Sequence, residues 1–194
     1  MPLGAFKAAL MGTAGVSTAD VVLLHDTDYS GASTASITSG IDSTYGEYII
    51  KFYNINAATN SVSFQWQGSI DGGSNYNVTI TSSAFQASHT EADATALAYM
   101  PHQDSAQQTG FEMIAADQGN GSDENLCGVL HLFNPASTTY AKHFIQETIA
   151  NDSSDYAVHD FKGGYFNTTD NIDAVQFKMS SGNFDGTIKM WGVK

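Results

Sequence analysis

Several short stretches of the chain alternate apolar and polar residues, which is the period of β-strands with one buried face. The clearest is 61–68, where Val62, Phe64 and Trp66 alternate with polar side chains. Comparable stretches lie at 21–24, 47–54, 76–82, 111–115, 128–134, 142–149, 155–161, 174–180 and 186–193. Together they predict an all-β fold, an antiparallel two-sheet sandwich that is jelly-roll-like and has about nine or ten strands.

Three segments between these strands are less regular. Residues 29–40 are rich in Ser, Thr and Gly, which indicates a loop or an irregular edge strand. Residues 84–100 are rich in Ala and favour a short helix or an ordered crossover that stops at Pro101. Residues 117–125 combine Gly, Asn and Asp and are predicted to be a loop.

The sequence matches itself at an offset of 80 positions (134 minus 54). The triplet Phe-Tyr-Asn at 52–54 corresponds to Leu-Phe-Asn at 132–134, and Phe64 corresponds to Phe144. Each copy contains a strand, a turn of small residues, a second strand, a polar loop and Tyr-x-Val. We therefore predict two structurally equivalent hairpins that superpose.

The length of 194 residues suits one all-β domain, which we place at 20–194. Residues 1–19 are small, apolar and interrupted by Gly, which predicts an extended N-terminal arm. Such a segment has little reason to be ordered on its own, so its contacts are expected on another chain. The sequence therefore favours a homo-oligomer, with a trimer preferred.

The charge balance excludes one class of partner. The chain has 20 acidic and seven basic residues, a formal net charge of −13 and no Arg. Without guanidinium groups it lacks the usual bidentate phosphate ligands, and its net charge repels a polyanion. We predict that it does not bind nucleic acid.

Nothing in the sequence predicts a membrane span or a secretory signal, because the apolar runs are far shorter than about 18 to 20 residues. The single cysteine, Cys127, excludes an intrachain disulfide. Its place in the apolar run CGVLHLF predicts a small buried side chain and not a nucleophile. These features suit folding in a reducing cytoplasm.

Two sets of residues are candidate metal ligands. If the turn PASTTYA joins a regular hairpin, His131 and His143 lie nearly opposite each other and could share a metal with a third ligand such as His159. Asp117 and Asp123 lie among glycines and could bind calcium, but their spacing does not fit an EF-hand loop. The competing interpretation is unconnected side chains, and we predict neither a metal site nor a cofactor.

Aromatic residues give one candidate binding surface. Trp66, Tyr76, Tyr156 and Trp191 could form a sugar-stacking platform, as in lectins, or could pack in the core and between subunits. The sequence contains no G-x-S-x-G, no P-loop and no dinucleotide fingerprint after a strand. We predict no catalytic residues and no enzymatic activity.

Two segments carry a resemblance to a known class of proteins. The run SVSFQWQGSIDGGSNYN and the final stretch from IDAVQFK through MSSGNFDGTIK resemble segments of structural proteins of tailed bacteriophages, especially marine phages. This resemblance extends over about 45–194. It implies a β-rich, non-enzymatic, multimeric protein that serves as a head decoration, a head fibre or a tail-associated fibre.

The resemblance and the composition together predict a virion protein, made in the host cytoplasm and placed on the outside of the particle. Head decoration is preferred over a tail-attached fibre or receptor-binding knob, because an arm fixed along its length suits docking on a lattice. Through the arm the protein would contact other virion proteins. The alternative function is a carbohydrate-binding, lectin-like adhesin that recognises a glycan of the host surface.

Overall fold

Thirteen β-strands and no helix make up the part of the chain that the computed structural model describes, residues 20–194. The predicted arm, 1–19, lies outside the described residues. The strands are β1 (Val21–Ala32), β2 (Ala35–Ile37), β3 (Glu47–Ala57), β4 (Val62–Ser69), β5 (Ile80–Thr90), β6 (Thr95–Tyr99), β7 (Ala106–Gln108), β8 (Glu112–Gln118), β9 (Leu126–Phe133), β10 (Lys142–Asn151), β11 (Tyr156–Phe166), β12 (Ala174–Met179) and β13 (Phe184–Val193).

The strands form two antiparallel sheets of unequal size. The larger sheet has nine strands in the order β1-β13-β3-β9-β10-β11-β5-β6, with β7 also paired to β5. The smaller sheet has four strands in the order β2-β12-β4-β8. The predicted all-β, antiparallel two-sheet sandwich is confirmed.

Aromatic side chains join the inner faces of the two sheets. Phe52 of the large sheet lies edge-on to Phe177 of the small sheet, with ring centroids 5.2 Å apart. Trp66 of the small sheet packs edge-on against Phe144 and Phe166 of the large sheet, at 5.1 and 5.4 Å. All five side chains are buried, so these contacts hold the two layers together.

The Ala-rich segment, 84–100, is not a helix. Its first part belongs to β5 and its last part forms β6, and the two strands pair with Phe85 opposite Tyr99. The hairpin closes through a hydrogen bond from Thr90 N to the carbonyl of Ala94, 2.9 Å long. Pairing of β5 with β11 and β6 supplies hydrogen bonds that outweigh the helix preference of alanine. The predicted helix or crossover is therefore wrong.

The strand boundaries also differ from those predicted. β2, β6 and β7 have only three to five residues, which is too short for an alternating pattern to identify them. β1 continues to Ala32 at the edge of the large sheet, with a register shift between Tyr29 and Ala32, so the loop or irregular edge strand that is predicted at 29–40 is found there as an irregular edge strand. These additions account for the thirteen strands where about nine or ten were predicted.

The internal match does not produce two equivalent hairpins. β9 and β10 pair with each other in the large sheet, with Leu132 opposite Phe144. β3 lies in the large sheet and β4 in the small sheet, so the strands of Phe52 and Phe64 do not pair. Both edges of β3 are already occupied by β13 and β9, which leaves no edge for β4. The prediction of superposable hairpins is wrong.

What the two copies share is local turn chemistry. Asn54 and Asn134 both adopt a left-handed backbone, with φ of 49° and 44°, which Asn tolerates better than most residues. In the following loops, Asp71 accepts a hydrogen bond from the backbone N of Asn75, and Asp152 accepts one from that of Tyr156. Each aspartate thus closes its loop four residues on. The two aspartates are 81 positions apart (152 minus 71) and do not correspond at the offset of 80, so the repeat marks similar turns in different topologies.

The aromatic contacts between the sheets give the first prediction. Trp66→Ala removes the largest fully buried side chain, so it should lower the free energy of unfolding by about 3 to 5 kcal/mol, as large-to-small core substitutions do. Tyr140→Ala, at a side chain that is 74% exposed, should change it by less than about 0.5 kcal/mol. Urea unfolding measures both. Equal effects of the two substitutions would contradict the described core.

Candidate functional site

The histidines that sequence reasoning singled out do not converge. The register of β9 and β10 places Ile145, and not His143, opposite His131. His131 Nδ1 instead lies 2.6 Å from Glu47 Oε1, and the ring of His143 lies 6.1 Å from that of Tyr165. The expected near-opposite arrangement is therefore wrong, because the register is offset so that the two histidines are diagonal neighbours.

The third histidine has its own partner too. His159 Nε2 lies 2.8 Å from Glu147 Oε1 on the neighbouring strand. Within residues 20–194, no three His, Cys, Asp or Glu side chains are grouped so that they could hold a metal ion.

The candidate calcium loop, 117–125, is held by protein groups. Asn56 Nδ2 donates to the carbonyls of Gly121 and Glu124, at 2.7 and 2.8 Å. The carbonyl of Asp123 accepts from Asn151 Nδ2 at 3.3 Å. The Glu124 carboxylate accepts from Gly121 N at 2.5 Å. Backbone oxygens that would help to bind a cation thus already accept hydrogen bonds, and the structure does not group Asp117 with Asp123 as ligands.

The four aromatic candidates do not share a surface. Trp66 is completely buried, so its assignment to a binding platform is wrong, and its role is in the core. Tyr76 packs its hydroxyl beneath the loop at Gly73. Tyr156 is exposed at the beginning of β11, whereas Trp191 lies on β13, four strands away in the sheet order.

Cys127 is not the buried side chain that the apolar run predicted. It is partly exposed on the outward side of β9, because Leu126 and Leu130 take the inward positions. The backbone N of Asn54 lies 3.3 Å from its sulfur. The run CGVLHLF is apolar on both faces of the strand, so hydrophobicity alone could not tell which residues point inward.

Sequence reasoning missed a group of ionisable residues inside the sandwich. Glu112, Asp160 and Lys162 are 0, 1 and 3% exposed, too enclosed for a substrate from solvent to reach them. The Glu112 carboxylate accepts hydrogen bonds from the hydroxyls of Ser82 and Ser105, at 2.8 and 2.5 Å. Lys162 Nζ donates to the carbonyl of Met113 at 2.7 Å, and Asp160 accepts from Gln86 at 2.9 Å.

Burial changes the acidity of all three groups. It lowers the pKa of Lys162 to about 8, although the nearby carboxylates of Asp160 and Glu112 oppose that shift. It raises the pKa of Glu112 and of Asp160, although their hydrogen bonds and the charge of Lys162 oppose that shift.

The sequence HDFKGG does not reveal these buried residues. Hydrophobicity would place Phe161 inward, whereas in β11 the side chains of Asp160 and Lys162 point inward and that of Phe161 points outward.

The outward side of the nine-stranded sheet forms a broad face that we term the outer face. Antiparallel pairing aligns its residues in rows that cross the strands. One central row contains Tyr99, Phe85, Phe161, Glu147, Val129, Lys51, Lys189 and Asp26. The second central row contains Ser83, Gly163, Ile145, His131, Ile49, Trp191 and Leu23. Two flanking rows include Leu97, Ala87, His159, Ile149 and Cys127 on one side and Tyr165, His143, Phe133, Glu47, Val193 and Val21 on the other.

The outer face holds most of the exposed apolar side chains of the described chain. Among residues 20–194, eleven large hydrophobic residues are exposed, and eight of them lie on this face. They are Val21, Leu23, Tyr53, Phe85, Leu97, Tyr99, Ile145 and Ile149. Exposed apolar side chains gathered on one face of a folded protein are a common feature of interaction surfaces.

Charged groups on the outer face are paired within it. Besides the pairs Glu47–His131 and Glu147–His159, Lys189 Nζ lies 2.9 Å from the Asp26 carboxylate. This hydrogen bond raises the pKa of Lys189. The charges of the outer face are therefore partly neutralised in place.

The outward side of the small sheet has a different character. Its side chains include Ser36, Gln65, Gln176 and Lys178, and the amide of Gln176 donates to the Ser36 hydroxyl at 2.8 Å. This polar surface requires no partner to cover it. The apolar surface of the sandwich thus lies on one side only.

Within residues 20–194 there is no helix long and apolar enough to cross a membrane. The sequence matches no protein-family model, and comparison with curated proteins gave no significant match.

The buried amine of Lys162 gives the second prediction. Its pKa is about 8 in the fold and near 10.5 in the unfolded chain, so between these values the unfolded state binds more protons and stability rises with pH. Lys162→Met removes this dependence. The stability of the wild type relative to the variant should therefore increase by on the order of 3 kcal/mol between pH 7 and pH 10.5 in urea titrations.

Lys189→Met provides a control of opposite sign. Because the pKa of Lys189 is raised by Asp26, its contribution is present below the ordinary lysine pKa and is lost as pH rises through the folded value. The advantage of the wild type over this variant should shrink at high pH. Parallel pH profiles for the wild type and Lys162→Met would contradict the buried amine.

Proposed function

We propose that this protein is a non-enzymatic structural protein on the outside of a tailed-phage particle, where it serves as head decoration or cement. It would be made in the host cytoplasm and would reach the virion by assembly with copies of itself and with other virion proteins, which residues 1–19 would contact.

The segments that resemble phage structural proteins are neighbours in the fold. β4, from the first segment, pairs with β12, from the second. Gly72 N donates to both oxygens of the Asp173 carboxylate, at 3.0 and 3.1 Å, and Asp173 N donates to the carbonyl of Ser69 at 2.9 Å. The resembling residues thus form one contiguous unit, which supports reading the resemblance as a structural one.

The observation that carries the proposal is the apolar outer face. A protein that worked alone in water would expose a large sheet mainly through polar side chains. Here Leu97, Tyr99, Ile145 and Ile149 are between 49 and 74% exposed on one face of the large sheet. Such a surface fits a protein whose working state is an assembly.

Head decoration is preferred to a fibre or a receptor-binding knob. A long fibre needs a repetitive or coiled-coil shaft, and this sequence of 194 residues contains neither pattern. A sandwich with one apolar and one polar side suits a shell, because the first side can contact other subunits while the second meets water.

The carbohydrate-binding alternative gains no specific support from the exposed aromatic residues. Stacking on a sugar requires an open ring face. Phe85 and Phe161 stack on each other, with centroids 5.0 Å apart and an angle of 12° between the rings. Lys51 Nζ lies over the ring of Trp191 at 5.7 Å. One face of each of these three rings is thus occupied. The exposed tyrosines Tyr99, Tyr140 and Tyr156 lie apart, on β6, between β9 and β10 and at the beginning of β11, so the assembly function is favoured.

The third prediction concerns the location of the protein. Antibodies raised against the purified protein should label the heads of intact particles of the encoding phage in immunogold electron microscopy, because a decoration protein is exposed without opening the capsid. Antibodies pre-adsorbed with the protein provide the control. Labelling confined to tails would favour the fibre, and particles that lack the protein by mass spectrometry would refute the proposal.

A further inference from the structure

We infer that the outer face of the nine-stranded sheet is the surface through which copies of this chain bind one another. The inference deepens the proposed function and rests on it for its biological setting. It names the partner, a second copy of this chain, and the surface that receives it. The extent, the composition and the charge of the outer face support it.

The outer face is large enough for a specific interface. Its path of eight strands spans about 34 Å at the usual strand spacing, and its four rows span about 20 Å along the strands. This gives roughly 700 Å² of surface, close to the ~800 Å² that each partner contributes to a standard interface. The faces of two sheets can pack about 10 Å apart, as sandwich layers do.

The centre of the outer face has the composition of an interface core. Ile145, 55% exposed, is flanked on one side by Gly163 and on the other by His131, and Ile49 and Trp191 continue the same row. The parallel row carries the stacked rings of Phe85 and Phe161 on β5 and β11, and in its middle Val129 lies between Glu147 and Lys51. Aromatic and aliphatic side chains at the centre of a patch are typical of residues that dominate binding.

The charge of the outer face allows like copies to meet. The two central rows hold two lysines, Lys51 and Lys189, and two carboxylates, Asp26 and Glu147, so their net charge is zero. Two further carboxylates lie outside the central rows on the same face, where Glu47 pairs with His131 and Asp28 accepts a hydrogen bond from Thr187. Each copy has a net charge of −13, but the central rows that would meet are neutral. Two copies can therefore approach through this face without net repulsion between their central rows.

The test begins with association of the full-length protein. Ile145→Glu places an unpaired carboxylate at the centre of the outer face and should raise the dissociation constant at least 100-fold in sedimentation equilibrium. Ile145→Thr, which keeps a β-branched side chain, should weaken association less. The matched control is Ile70→Glu, because Ile70 is also exposed, at 41%, but follows β4 of the small sheet, and it should associate like the wild type. Circular dichroism checks that each variant folds.

Cys127, the only cysteine in the chain, reports on the same surface without any substitution. It lies on the outer face beside Ile149 and is partly exposed. Its modification by a maleimide should slow as the wild-type concentration rises and should be independent of concentration in Ile145→Glu. These two results together would support the inference.

Three results would overturn it. One is a monomer at all concentrations with freely modified Cys127. Another is a monomer whose Cys127 is protected at every concentration, which would mean that residues 1–19 of the same chain cover the face. The third is an oligomer, including the expected trimer, that Ile145→Glu leaves intact. Particle labelling is measured separately from association. Labelled heads together with a monomeric purified protein would refute this inference and leave the proposed function intact. Association through the outer face without labelling of particles would refute the proposed function and leave this inference intact.

Discussion

The width of the small sheet constrains the whole sandwich, because four strands cannot cover the inner face of nine. Its edge strand β8 packs over β10 and β11, and the large sheet continues beyond that edge through β5 to β6. The aromatic contacts of Trp66 and Phe52 fill the covered part. At the margin, the connection between β6 and β8 contains β7, which pairs with β5, and it supplies Ser105, whose hydroxyl donates a hydrogen bond to Glu112. The buried ionisable residues Glu112, Asp160 and Lys162 thus lie at the margin of the area that the small sheet covers. Lys162 Nζ donates a hydrogen bond to a backbone carbonyl of β8.

The outer face explains why parts of the sequence do not alternate. A strand with one wet side should alternate apolar and polar residues, as 61–68 does with Phe64 and Trp66 inward. β9 is instead apolar at Leu130 on its inner side and at Val129 on its outer side. That pattern is expected of a strand covered on both sides, and in the single chain only the inner side is covered. The composition of β9 therefore agrees with the proposal that the outer face is covered when copies of the chain assemble.

Sequence pattern predicted the fold class well, because alternation in β4 and its neighbours follows from burial against the other sheet. It failed where distant pairing decided the outcome. The Ala-rich segment at 84–100 became a hairpin because β11 offered it an edge. The inward phase of Asp160 and Lys162 depended on Ser, Gln and backbone partners from other strands, which no local pattern reveals. The diagonal offset of His131 and His143 depended on a register set by the whole β9–β10 pair.

The distribution of charge also bears on where association stops. With central rows that are neutral, most of the chain's 20 carboxylates lie on loops, edges and the remaining surface. Copies that meet through the outer face would therefore keep their negative charge turned outward. Repulsion between these outer surfaces opposes further, unspecific stacking and keeps the assembly soluble. The polar side of the small sheet, with Gln65 and Gln176, adds no apolar contact that could extend the stack. One face whose central rows are neutral, on an acidic body, thus favours a closed assembly over an open-ended one.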